Sequence, residues 1–284
     1  MRNAGFPPPA CCQAKKQFAF TKGGFDYAQF VDCDTLHLSP RPPRDKFEKF
    51  YSDSVSARFW VDEFFPVVAG KRKEKIIKPN VEKIRTIYNQ RGIKVKTIID
   101  IGAGYGPFLE EWKKIDPDAQ SIAIEPSPKL SEICQSKGIR VIQSIAEKTE
   151  VLEKKADLVV CFEVIEHVHN PCHFLSVIKN MLAPGGIEIV TGLGVDGFDI
   201  QSLWGNSKSI SPPHHINFRS VDGFEQLFRR VGFSDVEVTT PGKLDGDIEL
   251  NNHTSLTIEN RFFNTLSDRG EEALGEFQNF LTKY

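Results

Sequence analysis

Thr97-Ile98-Ile99-Asp100-Ile101-Gly102-Ala103-Gly104-Tyr105-Gly106 is an apolar, largely β-branched run that opens directly into three glycines at alternate positions. Residues 96–101 carry few polar side chains, which suits a strand covered on both faces. Glycine then permits a tight turn and a close backbone approach that a Cβ would block. A loop of this kind hugs a ligand. Asp100 stands just before the turn, at the carboxyl end of the strand, where ligands of open α/β sheets bind. The spacing is Gly-x-Gly-x-Gly, and Pro107 occupies the place of the third glycine in the dinucleotide fingerprint G-x-G-x-x-G. That departure weighs against a nicotinamide enzyme. A second apolar run, residues 120–124, ends in Glu125, about 20 residues past the glycines, where a carboxylate is placed to accept hydrogen bonds from both ribose hydroxyls. The two runs together describe a nucleoside site.

With those residues in view, the chain resembles the class I S-adenosylmethionine-dependent methyltransferases. Asp100-Ile101-Gly102-Ala103-Gly104-Tyr105-Gly106 is similar to their first motif, and Glu125, followed by Pro126, to their ribose acid. Ser144-Ile145-Ala146-Glu147 resembles the adenine-pocket segment, Cys161-Phe162-Glu163-Val164-Ile165-Glu166-His167-Val168 the motif after the fourth strand, and Leu182-Ala183-Pro184-Gly185-Gly186 the turn before the fifth. The landmarks fall in order over residues 96–240. The resemblance implies S-adenosyl-L-methionine as methyl donor and S-adenosyl-L-homocysteine as product. It implies donor contacts from Asp100, Gly102, Ala103, Gly104, Tyr105, Gly106, Glu125, Pro126, Ile145, Ala146, Glu147 and Glu163. Tyr51, in an aromatic stretch ahead of the domain, is a further candidate for the donor cleft.

The pattern along residues 96–240 alternates strands and helices: strands at 96–101, 120–124, 140–143, 157–162, 187–191 and 235–239, helices at 107–115, 128–137, 171–182 and 221–231. Such alternation gives an α/β, doubly wound, Rossmann-like and mostly parallel sheet with helices on both faces, and the resemblance implies seven strands. Residues 1–44 show little periodicity and form a small irregular module. Residues 45–95 are helical in pattern, aromatic-rich, and expected to cover the cofactor cleft. Residues 241–284 form a carboxyl-terminal extension, and their helical pattern, still running at Tyr284, leads to the expectation of further residues beyond it.

Composition bounds the function. The 284 residues are 40% hydrophobic and 26% charged, an ordinary globular mixture. With 36 basic and 38 acidic side chains the formal charge is −2, which gives no field to steer the chain onto nucleic acid. No apolar stretch approaches the roughly 20 residues that cross a bilayer, and residues 1–10 lack a hydrophobic signal core. The expectation is a cytoplasmic protein without membrane insertion. Six scattered cysteines fit reduced thiols rather than a disulfide framework.

One branch of the family, which includes enzymes of sugar and surface-polysaccharide biosynthesis, carries a zinc ribbon with two Cys-x-x-Cys pairs ahead of the catalytic domain. Here the first pair is replaced by adjacent Cys11 and Cys12, and Cys33 is followed at the partner position by Leu36. A set of Cys11, Cys12, Cys33 and His37 is conceivable, but four tetrahedral ligands at the usual spacing are absent. The expected state is a degenerate, metal-free ribbon held by Phe18, Phe20, Phe25 and Phe30.

If the acceptor is a hydroxyl, a base must take its proton, and histidine suits the task. Three histidines are candidates for catalysis. His167 lies in the loop after a buried strand, where Glu163, Glu166 and His167 match an E-x-x-E-H arrangement that binds a divalent cation in some O-methyltransferases; the reading without metal is preferred here. His214 and His215 follow Pro212 and Pro213, which restrict the backbone. Asn217 and Arg219 add donors suited to hydroxylated or phosphorylated acceptors, and Phe198 and Trp204 are candidates for a pocket wall. Segments 206–219 and 240–245 are similar to methyltransferases of carbohydrate gene clusters, so the resemblance implies a saccharide or nucleotide-linked sugar as the small-molecule acceptor. A phenolic or quinone-like acceptor with a metal at Glu163, Glu166 and His167 is the alternative, and a cofactor-binding module without activity a further one. The oligomeric state is not legible.

Overall fold

The structure, a computed structural model, describes residues 15–53, 60–149 and 155–240. The chain divides into two compact units, one formed by Met1–Arg41 with Leu193–Tyr284 and the other by Pro42–Gly192. Cys11, Cys12 and the extension at 241–284 lie outside the described residues.

The first unit begins with three antiparallel strands, β1 (Lys16–Lys22), β2 (Phe25–Phe30) and β3 (Leu36–Leu38). This corrects the expectation of an irregular module. Gly23 and Gly24, at φ +56° and +79°, make the two-residue turn between β1 and β2, the conformation that a tight hairpin of matching twist requires. The polar–apolar alternation that would have announced these strands is erased for physical reasons. A bulge between Phe18 and Phe20 breaks the period in β1, while β3 and the pair Tyr27–Ala28 are buried on both faces.

The second unit is α/β. It opens with α1 (Arg44–Asp53), a π-helical stretch Trp60–Phe64, α2 (Phe65–Arg72), a second π-helical stretch Lys73–Ile77, and α3 (Lys78–Arg91), which Gly92 closes in the left-handed conformation at φ +64°. Next come β4 (Thr97–Ile101), α4 (Pro107–Ile115), β5 (Gln120–Ile124), α5 (Pro128–Ser136), β6 (Arg140–Ile142), β7 (Ala156–Phe162), α6 (Pro171–Met181) and β8 (Leu182–Thr191). The five strands are parallel, in the order β6-β5-β4-β7-β8. The chain therefore winds outward from β4 first through β5 and β6, then through β7 and β8. That reversal beside β4 is a topological switch point, the place where such sheets bind ligands.

One face of the sheet carries Ile98, Leu158 and Val160, against which Val81, Ile84 and Tyr88 of α3 and Phe108, Leu109 and Trp112 of α4 are packed. The Tyr88 hydroxyl donates to the Asp157 carbonyl at 2.7 Å. Thus α3, expected as a cover over a cleft, instead belongs to the core of the sheet. The turn expected at 182–186 is taken into β8, whose pairing with β7 shifts register between Ala156 and Leu158.

Past Gly192 the chain completes the first unit with α7 (Phe198–Leu203), β9 (Asn217–Phe218) and α8 (Val221–Val231). β9 pairs antiparallel with β3, Leu36 opposite Phe218 and His37 opposite Asn217, giving the sheet β1-β2-β3-β9. Ser220 caps α8 by accepting from the Gly223 N–H, and its hydroxyl donates to the Cys33 carbonyl. Residues 235–239, expected as a strand, are not a strand in the structure and alternate between exposed and partly buried positions. The parallel sheet therefore has five strands among the described residues, not seven.

Candidate functional site

The loop after β4 is shaped by its glycines. Gly102, Gly104 and Gly106 sit at φ +70°, +58° and +78°, where L side chains are strained. A Cβ on Gly102 would come within 2.5 Å of a Val164 methyl, whereas one on Gly104 meets nothing within 4 Å. Gly102 is thus demanded by close packing, and Gly104 leaves open space over the loop. The Gly102 N–H donates to the Ile124 carbonyl at 2.8 Å and Gly106 to Ala103 at 2.9 Å, and Pro107 starts α4 at a position where its missing N–H costs nothing.

Glu125 closes the loop from the side. Its Oε2 accepts from the Gly104 N–H and its Oε1 from the Ser127 N–H, both at 2.9 Å, while the Ser131 hydroxyl donates to its carbonyl at 2.9 Å. The residue is 6% exposed. Burial pushes its carboxyl up to about 7, against the two N–H bonds, which favour the ionised form. Asp100 is 3% exposed; burial, and then the charge of Glu125, raise its carboxyl well above the usual range. Two carboxyls held at the end of adjacent strands in low dielectric gain from a ligand that brings positive charge and hydroxyl donors. A sulfonium nucleoside has both.

The neighbouring strand ends supply the other predicted contacts. Pro126 is partly buried between Glu125 and Ser127, the cap of α5. After β6, Ile145 and the turn Ala146–Lys148 are fixed by Ser144 and Thr149, whose hydroxyls donate to the Ile145 carbonyl at 3.0 and 3.1 Å. Ala146 is buried and Glu147 partly so. Glu163, at the end of β7, adopts φ +55° although it is not glycine. Thr191, the last residue of β8, holds it: the threonine hydroxyl donates to Glu163 Oε1 at 2.7 Å, and the Glu163 N–H to the Thr191 carbonyl at 3.1 Å. Asp100, residues 102–106, Glu125, Pro126, residues 145–147 and Glu163 thus gather at the carboxyl edge of one parallel sheet. Tyr51 belongs to α1, but its side chain lies outside what the structure describes.

His167 is partly buried in the turn Ile165–His167, and its N–H donates to the Val164 carbonyl at 2.9 Å. Glu166 is buried, whereas Glu163 is exposed and engaged by Thr191. Among the described residues no three His, Cys, Asp or Glu side chains form a group fit to hold a metal ion. The E-x-x-E-H residues are therefore not gathered into one ligand set.

His214 and His215 belong to the other unit. The His215 Nδ1 lies against the Ser209 carbonyl, its N–H donates to the Ser211 carbonyl at 2.9 Å, and its carbonyl accepts the Tyr27 hydroxyl at 2.7 Å. A carbonyl only accepts, so Nδ1 carries the proton and the lone pair resides on Nε2. Burial, and then His215, lower the pKa of His214. Asn217 and Arg219, expected to face an acceptor, are each 3% exposed, and Asn217 accepts from Arg41. Trp204 packs edge-on against Phe20, with centroids 5.4 Å apart. His37 is buried in the same sheet, stacked on Phe30 at 4.3 Å, and burial, aided by Arg41, lowers its pKa to about 3. The Cys33 thiol donates to the Thr35 hydroxyl at 3.3 Å.

Three contributors escaped the sequence reading. Ser127 was legible as a cap before Pro128. Thr191 and Cys134, whose thiol donates to the Gly104 carbonyl at 3.2 Å, were not, because nothing local marks a side chain that meets a loop only after folding.

Among the described residues no helix is long and apolar enough to cross a membrane. The family model described as a methyltransferase domain matches residues 69–238. The chain is similar to the ubiquinone biosynthesis O-methyltransferase of Azorhizobium caulinodans, 27% identical over 172 residues that cover 56% of this chain and 66% of that one, just under two thirds of its length. It is also similar to an uncharacterised protein of Methanocaldococcus jannaschii, 25% identical over 182 residues, 63% of this chain and 78% of that one. Among solved structures, the plantazolicin methyltransferase BpumL in complex with a triazolic desmethylPZN analog and SAH shares the fold, with a TM-score of 0.52 at 16% identity over 77% of this chain and 94% of that one. The family model covers more than half of the chain, and the chain belongs to the class I S-adenosylmethionine-dependent methyltransferases.

Proposed function

We propose that the chain transfers a methyl group from S-adenosylmethionine to a hydroxyl of a small molecule, with residues 102–106, Asp100 and Glu125 seating the donor. The observation that carries the reading is the buried Glu125 carboxyl, at the end of the strand beside the glycine loop and accepting from the Gly104 N–H. When bound, the donor supplies an electrophilic methyl on a cationic sulfur. Glu125 and Asp100 hold the nucleoside and its charge, and the hydroxyl proton passes to a base as the acceptor oxygen forms its bond to carbon and the carbon–sulfur bond breaks. S-adenosylhomocysteine leaves with a neutral sulfur.

Two acceptor classes fit. A phenolic or quinone-like hydroxyl is favoured by the O-methyltransferases among the relatives. A saccharide or nucleotide-linked sugar is supported by the likeness of residues 206–219 to carbohydrate enzymes, although Asn217 and Arg219 of that segment are turned into the small sheet. Incubation of purified protein and donor carrying a labelled methyl with a small-molecule extract tests the reading. Label in a periodate-sensitive product identifies a sugar, and label in a periodate-stable aromatic product a phenol. Absence of any labelled product refutes the reading.

A further inference from the structure

The glycine loop is braced from behind by the end of α5. Lys137, the residue that closes that helix, donates from Nζ to the Tyr105 carbonyl at 2.7 Å. The same ammonium pairs with Glu110 at 2.8 Å and lies 5.1 Å from the centroid of the Tyr105 ring. Glu110, in the first turn of α4, donates its N–H to the Gly106 carbonyl at 3.1 Å. One side chain thus ties together the loop, the helix that follows it and the helix that follows Glu125. The loop is engaged on opposite sides, by Glu125 at the Gly104 N–H and by Cys134 and Lys137 at the Gly104 and Tyr105 carbonyls. A carbonyl held this way fixes the plane of its peptide, so the 105–106 peptide is oriented before any ligand arrives. Preorganisation of this kind strengthens binding by removing an ordering cost.

We propose that Lys137 is a positioning residue for the methyl donor: its ammonium presets the Tyr105–Gly106 peptide and the Tyr105 ring. The role rests on residues 102–106 being the donor's seat. Its sign separates it from plain electrostatics. The donor is cationic, so removing a nearby cation would tighten binding if charge alone mattered, whereas loss of a brace weakens it.

Calorimetric titration of the full chain with S-adenosylmethionine and S-adenosylhomocysteine tests the proposal, with thermal unfolding of the ligand-free proteins alongside. Lys137→Met is expected to weaken both ligands about tenfold, the scale of one lost hydrogen bond to a charged group. Lys137→Arg, which keeps the charge and a donor, should stay within about threefold of wild type, and the ligand-free melting temperatures should agree within about 2 °C. Gly104→Ala serves as the control for the seat and should lose affinity whatever Lys137 does. Unchanged or tighter binding by Lys137→Met beside a weakened Gly104→Ala overturns the role of Lys137 alone. Unchanged binding by both variants overturns the seat and the proposal with it. Equal losses in the Met and Arg variants, accompanied by lowered melting temperatures, show a merely structural lysine and also overturn it.

Discussion

The Gly104 N–H reaches Oε2 of Glu125 across 2.9 Å, so the loop after β4 and the acid after β5 form one hydrogen-bonded element. A ligand that pulls on Glu125 is felt by the loop, and a substitution at Glu125 releases both. Glu125→Gln replaces a two-oxygen acceptor by an amide with only one acceptor oxygen. Donor affinity, read by calorimetry with S-adenosylhomocysteine, should fall about 10- to 100-fold, the loss of one or two hydrogen bonds to a charged group. One of the Gly104 and Ser127 N–H groups then faces an amide N–H in place of an acceptor, so the fold should also lose about 1–3 kcal/mol, read by urea unfolding.

The raised pKa of Glu125 predicts opposite pH trends for folding and for donor binding. Its value is about 7 in the fold and 4.5 when unperturbed. A carboxyl raised by folding stays neutral in the native state while the unfolded chain ionises, so the native state binds more protons. Its contribution to stability is fully present below about 4.5 and is lost as pH rises to about 7. Donor hydroxyls prefer the ionised acceptor, so affinity should strengthen with pH up to about 7 and then level off. Calorimetric titrations between about pH 5.5 and 8 should show this dependence in the wild type and its loss in Glu125→Gln; a dependence that survives the substitution assigns it to another group.

The two inner glycines should fail in different ways. Gly102→Ala combines a left-handed backbone with a methyl group 2.5 Å from Val164, a destabilisation of roughly 3 kcal/mol. Gly104→Ala meets no neighbour and carries only the backbone strain, about 1–2 kcal/mol. Urea unfolding should rank them in that order, while donor titration should find Gly104→Ala folded and poorly binding.

Glu163 has a non-glycine backbone at φ +55° and a carboxylate fastened to Thr191. Such strain is retained where a side chain is needed at that spot. Glu163→Gly should raise stability by up to about 1 kcal/mol, the strain relieved less the added freedom of the unfolded chain, and should reduce methyl transfer. Thr191→Val, which keeps the backbone pairing and removes the hydroxyl, should reduce transfer without that gain in stability. A stabilised Glu163→Gly with full activity would mean that the carboxylate has no part in the reaction.

The strand ends and turns that gather the candidate donor residues were legible because their determinants are local in sequence. An apolar strand, alternate glycines and an acid at the end of the next strand each constrain only a few neighbouring residues, and the parallel sheet brings their ends together by its topology. Helix α8 was readable for the same reason, with its serine cap and closing glycine. The small sheet was not. Its β3 and β9 strands are three and two residues long, buried on both faces and separated by most of the chain, so no period announces them.

By itself the sequence determined the glycine loop, the acid after β5 and where along the chain the five parallel strands lie, since backbone sterics and hydrophobic pattern act over short distances. Only the tertiary structure decided that residues 217–218 pair with β3, that Asn217 and Arg219 are buried, and that Thr191, Cys134 and Lys137 hold the site. Those are contacts between residues distant in the chain, and their partners are set by packing rather than by any signal along it.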